Sequence, residues 1–218
     1  MQLMKAIAEG NQLVLPFLGM LLEEPRTPRE LMGQLGPGSR FEHLSPHSGT
    51  IYSLMLTLVD AGWIAHENKA PNQLDLVCSI TPAGREELKR RLGEALINTS
   101  WTSGHQFVTA LPYLHLFERE VAVALLDQRA TRLRARAGEF LAAANAKERT
   151  LPEVAKDDYL DTRTQFEISW IEDYRDRIAR MPWPPVELVS PSGDGAADQR
   201  IPHASPTNVP RTGTSGSR

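Results

Sequence analysis

Thr50, Ser53 and Thr57 recur at i, i+3 and i+7, and Ser48 stands just ahead of them where a helix N-cap belongs. A helix with such a face presents hydroxyls that both donate and accept hydrogen bonds. That chemistry suits the base edges and phosphates of a nucleic-acid groove. Leu56 lies on the same side and could touch a thymine methyl group. The amides around Ser48, at the positive end of the helix, could bind a phosphate. Ser45 and His47, just before the helix, join this set, and Arg26, Arg29, Arg40 and Lys69 are the cations nearby that could grip phosphates. Each of these residues has a plainer reading as part of a solvated surface. His43 and His47 read as loop residues rather than metal ligands, because no carboxylate or cysteine completes a site.

A second group of residues could bind a small molecule. Trp101, Phe107, Phe117, Trp170 and Tyr174 could line a cleft for a flat aromatic or apolar effector. The plainer reading, and the favoured one, makes the same rings core and subunit-interface residues. No cofactor is expected. The single cysteine, Cys78, excludes an internal disulfide and a cysteine-rich zinc site, and between Val77 and Ile80 it reads as a small buried apolar residue. Enzyme chemistry finds little support: there is no Gly-rich phosphate loop, no paired-His motif and no G-x-S-x-G. The carboxylate pairs at Glu118 and Glu120 and at Asp157 and Asp158 read as solvated helix faces.

The elements that must carry these residues follow from periodicity. Pro16 begins a helix through Phe17 to Leu22 that stops at Glu24-Pro25. Thr27-Pro28-Arg29-Glu30 is a capping box, followed by Leu31 and Leu35 on one face and ended by Gly36-Pro37-Gly38. Ile51, Leu54, Met55, Leu58 and Val59 form one apolar stripe, so a helix is predicted from about Ser48 to Ala61, with Gly62 as its left-handed stop. Tyr52 lies on its flank. Trp63 to His66 and Leu74 to Ile80 read as two strands of a hairpin whose tip includes Lys69. Thr81-Pro82 opens a further helix with Leu88, Leu92 and Leu96 spaced by four. This order, three helices, a hairpin and a helix, is that of a winged helix-turn-helix.

From about His105 to Met181 the pattern is helical: a short helix containing Pro112, a long one from Phe117 to about Ala146, and a last one from about Asp157 to Arg180. The buried side of the last helix is expected to include Tyr159, Phe166, Trp170, Ile171, Tyr174 and Ile178. The tail from Pro184 is rich in Pro, Gly, Ser and Thr and reads as disordered. The fold class is therefore mainly α, with an N-terminal winged helix-turn-helix with a β-hairpin wing over 1–97, a C-terminal all-α dimerisation and candidate effector domain over 98–183, and a disordered tail over 184–218.

Charge does not by itself argue for DNA. The chain of 218 residues carries a net charge of −3, and residues 1–97 hold nine Lys or Arg against eleven Asp or Glu. No segment is a basic block, so the pattern of the reading face must carry the case. The longest apolar stretch, Leu13 to Leu22, contains a proline and is far short of the ~20 residues needed to span a bilayer. No membrane partner is expected, and the expected location is the cytoplasm.

The motifs together resemble the PadR family of bacterial transcriptional regulators, over about Leu15 to Leu96. They are Leu-Gly-Met-Leu-Leu-Glu-Glu-Pro (18–25), Ser48-Gly49-Thr50-Ile51-Tyr52, Leu58-Val59-Asp60-Ala61-Gly62-Trp63-Ile64 and Ile80-Thr81-Pro82-Ala83-Gly84-Arg85. The chain departs from the family at Thr27-Pro28-Arg29-Glu30, where a His-Gly-Tyr-Glu-like start is usual. It departs again in the wing, which keeps only Lys69 and has Cys78 in place of an aromatic residue. The resemblance implies a homodimer formed through the C-terminal helices, a double-stranded DNA operator as partner, a place for Tyr52 near the DNA backbone, and repression as the mode of control. The competing expectation is a winged helix that binds protein rather than DNA, favoured by the acidic balance of residues 1–97.

Overall fold

The computed structural model describes residues 11–36, 38–44, 48–66, 75–100, 104–145 and 150–184. The sequence expectations for Ser45, His47, Lys69, Trp101 and the tail beyond Pro184 lie outside these residues.

Helix α1 (Val14–Glu23) is apolar on nearly every side, and its residues from Val14 to Leu22 are buried. Such all-round burial marks a helix at the centre of a fold rather than on its surface. A short helix, α2 (Pro28–Gly33), begins at the expected capping box. The Glu30 amide donates to the Thr27 hydroxyl at 3.2 Å, and the Thr27 amide donates to the Glu30 carboxylate at 2.7 Å. These bonds hold the Glu30 carboxyl below its ordinary value. Leu31 and Leu35 are buried, as their spacing requires. A loop with a 3₁₀ turn at Glu42–Leu44 leads towards the next helix.

Helix α3 (Ser48–Asp60) buries the predicted stripe: Ile51, Leu54, Met55 and Leu58 are all in the core. Full burial of each such side chain stabilises by about 1.5–3 kcal/mol, which fixes the rotation of the helix about its own axis. Its end is a Schellman motif. Gly62 adopts φ 77°, its amide donates to the Val59 carbonyl at 2.9 Å, and the Trp63 amide donates to Leu58 at 3.0 Å.

The two strands are shorter than predicted, β1 (Ile64–His66) and β2 (Cys78–Ile80), paired antiparallel with Ile64 opposite Ile80. On its other side Cys78 exchanges two backbone hydrogen bonds with Arg26, at 3.0 and 2.9 Å. The loop between α1 and α2 thus supplies a one-residue third strand. Helix α4 (Pro82–Ile97) starts pressed against β1. The Thr81 hydroxyl donates to the Gly62 carbonyl at 2.7 Å and accepts from the Gly84 amide at 3.0 Å. A Cβ on Gly84 would stand 2.0 Å from the Trp63 carbonyl oxygen, so only glycine permits this approach.

The short helix predicted around Pro112 is two pieces, α5 (Gly104–Ala110) and a 3₁₀ segment, Leu111–Leu116. Pro112 cannot donate within an α-helix and sits in the first turn of the 3₁₀ segment. The long helices are α6 (Arg119–Asn145) and α7 (Leu151–Arg180). They run antiparallel, from an Arg119 contact with the Met181 carbonyl near one end to an Arg134–Glu172 ion pair further along. Helix α7 begins six residues before the expected Asp157, at a capping box formed by Thr150 and Glu153 with Pro152 in the first turn. Its burial also differs from expectation. Ile171 and Ile178 are in the core, whereas Tyr159 and Phe166 are 66% and 69% exposed.

The fold is therefore mainly α: a winged helix-turn-helix followed by an all-helical part. One continuous core runs from Leu13, just ahead of α1, to Ile178 on α7. Arginines of α6 fasten the two parts. Arg129 donates to the carbonyls of Leu96 and Asn98, Arg132 to that of Ile97 at 3.2 Å, and Arg136 to that of Thr99. These carbonyls lie at and just beyond the C-terminal end of α4, where a helix lacks internal partners and its dipole favours cations. Among the described residues, no helix is long and apolar enough to cross a membrane.

Candidate nucleic-acid interface

With its stripe locked into the core, α3 turns the opposite face to solvent. Thr50, Ser53 and Asp60 are exposed and Leu56 is 49% exposed, a large apolar side chain left out of the core. Thr57 is half-buried, and its hydroxyl donates to the Ser53 carbonyl at 2.8 Å. That bond uses its one proton, so Thr57 can still accept but not donate. Tyr52 is half-buried on the flank. Ser48 is the first residue of α3. The structure thus brings Thr50, Ser53, Leu56 and Thr57 together on one outward face.

The predicted cations are distributed differently. Arg26 is bound within its own loop, with Glu24 at 2.8 Å and Glu23 at 3.7 Å. Arg40 pairs with Glu23 of α1, and its guanidinium lies over the rings of Phe41 and Tyr113 at 5.6 and 5.9 Å. Arg29 is the most exposed of the three, in a loose pair with Asp75 at 3.4 Å. Such an exposed pair is worth about 0–1 kcal/mol and would exchange readily for a phosphate. Arg26 and Arg40 would have to abandon better-formed partners to do the same.

The aromatic residues form a packed cluster. Phe107 meets Trp170 edge-on at 6.1 Å, and Trp170 stacks on Tyr174 at 4.8 Å. Phe117 is buried apart from them in the described contacts, where its carbonyl accepts from the Trp183 indole at 3.0 Å. A cleft of about 110 Å³ lies elsewhere, lined by Asn11, Gln12, Arg91, Asn98, Gln106 and Thr109 among others. It is polar and well below the roughly 300 Å³ of a typical ligand pocket.

Two features escaped the sequence reading. Arg129, 2% exposed, sits beneath the Phe107 ring at 3.9 Å and pairs with Glu167 of α7. Burial holds its guanidinium below the ordinary arginine value, the Glu167 carboxylate opposing that shift. The second is His43, whose Nε2 lies 2.9 Å from the Thr109 hydroxyl. Burial and the nearby His105 hold the His43 imidazole below its ordinary value. Neither contact carries a local sequence signal, since each joins residues more than 35 positions apart. Cys78 is buried as expected, and burial pushes its thiol up to about 11.

No known family model matches the chain, and no curated protein matches it. Among solved structures it is similar to Bacillus subtilis PadR in complex with operator DNA, at 16% identity and a TM-score of 0.34, covering 77% of this chain and 99% of that one. It is similar in the same degree to Bacillus subtilis PadR in complex with p-coumaric acid, at 16% identity and a TM-score of 0.34, covering 78% of this chain and 99% of that one. The likeness to these structures is one of fold alone.

Proposed function

We propose that the chain is a sequence-specific DNA-binding transcriptional regulator of the cytoplasm that works as a homodimer. Residues 1–97 read DNA and residues 98–183 assemble the dimer. The observation that supports this reading best is the outward face of α3. Three hydroxyls and an exposed leucine stand on a helix whose other side is immobilised in the core. A reading helix needs that division, because its register on the bases must not drift. The dimer is supported by α7, where Leu151, Tyr159 and Phe166 are 82%, 66% and 69% exposed. Two heads on one assembly would supply affinity that a face without Lys or Arg cannot supply alone. Repression is the simplest mode of control, by occupying the operator. A small aromatic or apolar effector would act at Phe107, Trp170 and Tyr174, and would have to part rings that now touch.

A protein-binding winged helix is the second reading. It is favoured by the ion pairs that occupy Arg26 and Arg40, which leave the head few cations for phosphate. The two readings separate in a titration of salt against binding to the DNA upstream of the chain's own gene. A DNA-reading dimer loses affinity steeply and linearly in log–log form as salt rises. A sequence-independent signal, or none at low salt, would remove the DNA reading and leave the other.

A further inference from the structure

The described segment ahead of α3, residues 38–44, is not held by the winged helix alone. Phe41, 1% exposed, stacks on Tyr113 of the 3₁₀ segment at 6.2 Å with the rings 16° from parallel. Tyr113 in turn lies directly on Gly19 of α1, where a Cβ would stand 2.3 Å from the ring. Two residues after Phe41, His43 Nε2 lies 2.9 Å from the Thr109 hydroxyl. Thr109, 1% exposed, donates its one proton to the His105 carbonyl at 2.7 Å. His43 must therefore be the donor to Thr109, which fixes its tautomer and the pose of the ring. The loop is bound at two points by α5 and the segment that follows it, more than sixty positions away in sequence.

Helix α5 has a second attachment. Phe107, two residues before Thr109, packs against Trp170 of α7 and over the Arg129 guanidinium of α6. A helix of seven residues thus touches the loop before α3 through Thr109 and the long helices through Phe107. A piece so short has little freedom to yield between the two contacts, because packed interiors respond by discrete shifts rather than by stretching.

We propose that α5 positions the reading helix: Thr109 and Tyr113 hold residues 38–44, the described segment ahead of α3, and Phe107 ties that hold to α6 and α7. The pose of the DNA-reading face is then set from the helical half, at the same ring cluster assigned above to an effector. The use of this hold in DNA reading rests on the proposed function; the mechanical tie does not.

Hydrogen exchange on the full chain, read segment by segment, tests the tie without DNA. Thr109→Val deletes the hydroxyl and should raise exchange across residues 38–60 at least about fivefold, the effect of one lost hydrogen bond on local opening. Residues 119–134 and 164–178 should keep their protection. Thr109→Ser keeps the hydroxyl and should restore protection of residues 38–60. Phe107→Leu, on the far side of α5, should loosen the same segment. Should Thr109→Val not fold, His43→Ala removes the same bond from its accessible end. Unchanged exchange over 38–60 in the Thr109 and His43 variants would overturn the proposal, and so would a response to Thr109→Val with none to Phe107→Leu. Binding to the upstream DNA fragment forms a separate arm. If the unmodified chain binds no DNA, the proposed function fails while the exchange data still decide the tie. If it binds and Thr109→Val binds equally well, α5 does not position the reader.

Discussion

A double substitution, Thr50→Glu with Ser53→Glu, sets stability and DNA binding in opposite directions. Both side chains are exposed and neither takes part in the core stripe of Ile51, Leu54, Met55 and Leu58. Exposed substitutions away from special features change stability by about 0.5 kcal/mol or less. Thr50 is the third residue of α3, in its first turn, where a carboxylate gains about 0.3–1 kcal/mol from the helix dipole. The variant should therefore melt at the same temperature as the parent or up to about 4 °C above it. Against DNA the sign reverses. A carboxylate about 6 Å from a phosphate costs about 0.7 kcal/mol at the dielectric of water and about 3 at an effective dielectric of 20. For two carboxylates the loss is about tenfold at the least and about ten-thousandfold at the most. The assay is a fluorescence anisotropy titration with the upstream DNA fragment, alongside a thermal melt and a sedimentation run. A variant that stays folded, sediments as the parent does and binds within about threefold of it, far less than this electrostatic cost allows, would refute the assignment of α3 as the reading helix.

Glu167→Gln should destabilise the chain by about 3 kcal/mol in urea unfolding, because it leaves the buried Arg129 charge without its counter-ion. Glu172→Gln removes the partner of Arg134, a pair about half exposed on both sides, and should cost less than about 1 kcal/mol. Equal effects would contradict the difference in burial. Cys78, with its thiol at about 11, should be about a thousandth ionised at pH 8 and should label with iodoacetamide only at the rate of unfolding. Stoichiometric labelling of the native chain within minutes would show that the site is open.

What was legible in the sequence is what local rules govern. Thr27 and Glu30 sit three apart and cap a helix whatever surrounds them, and Gly62 ends α3 because no other residue adopts its φ so cheaply. The stripe of α3 was readable because all of its members face one core. The start of α7 is equally local: Thr150, Pro152 and Glu153 repeat the signature of α2, although the aromatic periodicity begins only further along the chain. The exposure of Tyr159 and Phe166 was not legible, since apolar character does not say whether a side chain meets its own chain or water. Arg129 is the clearest case. Four arginines lie between 129 and 136 on α6, and only the approach of Glu167, Phe107 and the end of α4 selects one of them for burial. The candidate site divides in the same way. The outward hydroxyls of α3 follow from spacing, and the partners of Arg26 are its sequence neighbours Glu24 and Glu23, while the pairing of Arg40 with Glu23, seventeen positions away, depends on the surrounding fold.

The fastening of α4 to α6 bears on which operators such a protein could tolerate. Arg129, Arg132 and Arg136 grip the carbonyls at and just beyond the end of α4, so among the described residues the winged helix is fastened to the long helices. In a dimer built on α7 the two readers would behave as the fixed jaws of a caliper. Each base pair inserted between half-sites rotates one of them by about 34° around the duplex. A rigid frame cannot follow that rotation, so binding should vanish after an insertion of five base pairs. An insertion of ten restores the rotation but adds one helical pitch, about 34 Å, to the separation. A caliper should reject that as well, where a flexibly joined pair of heads would accept it.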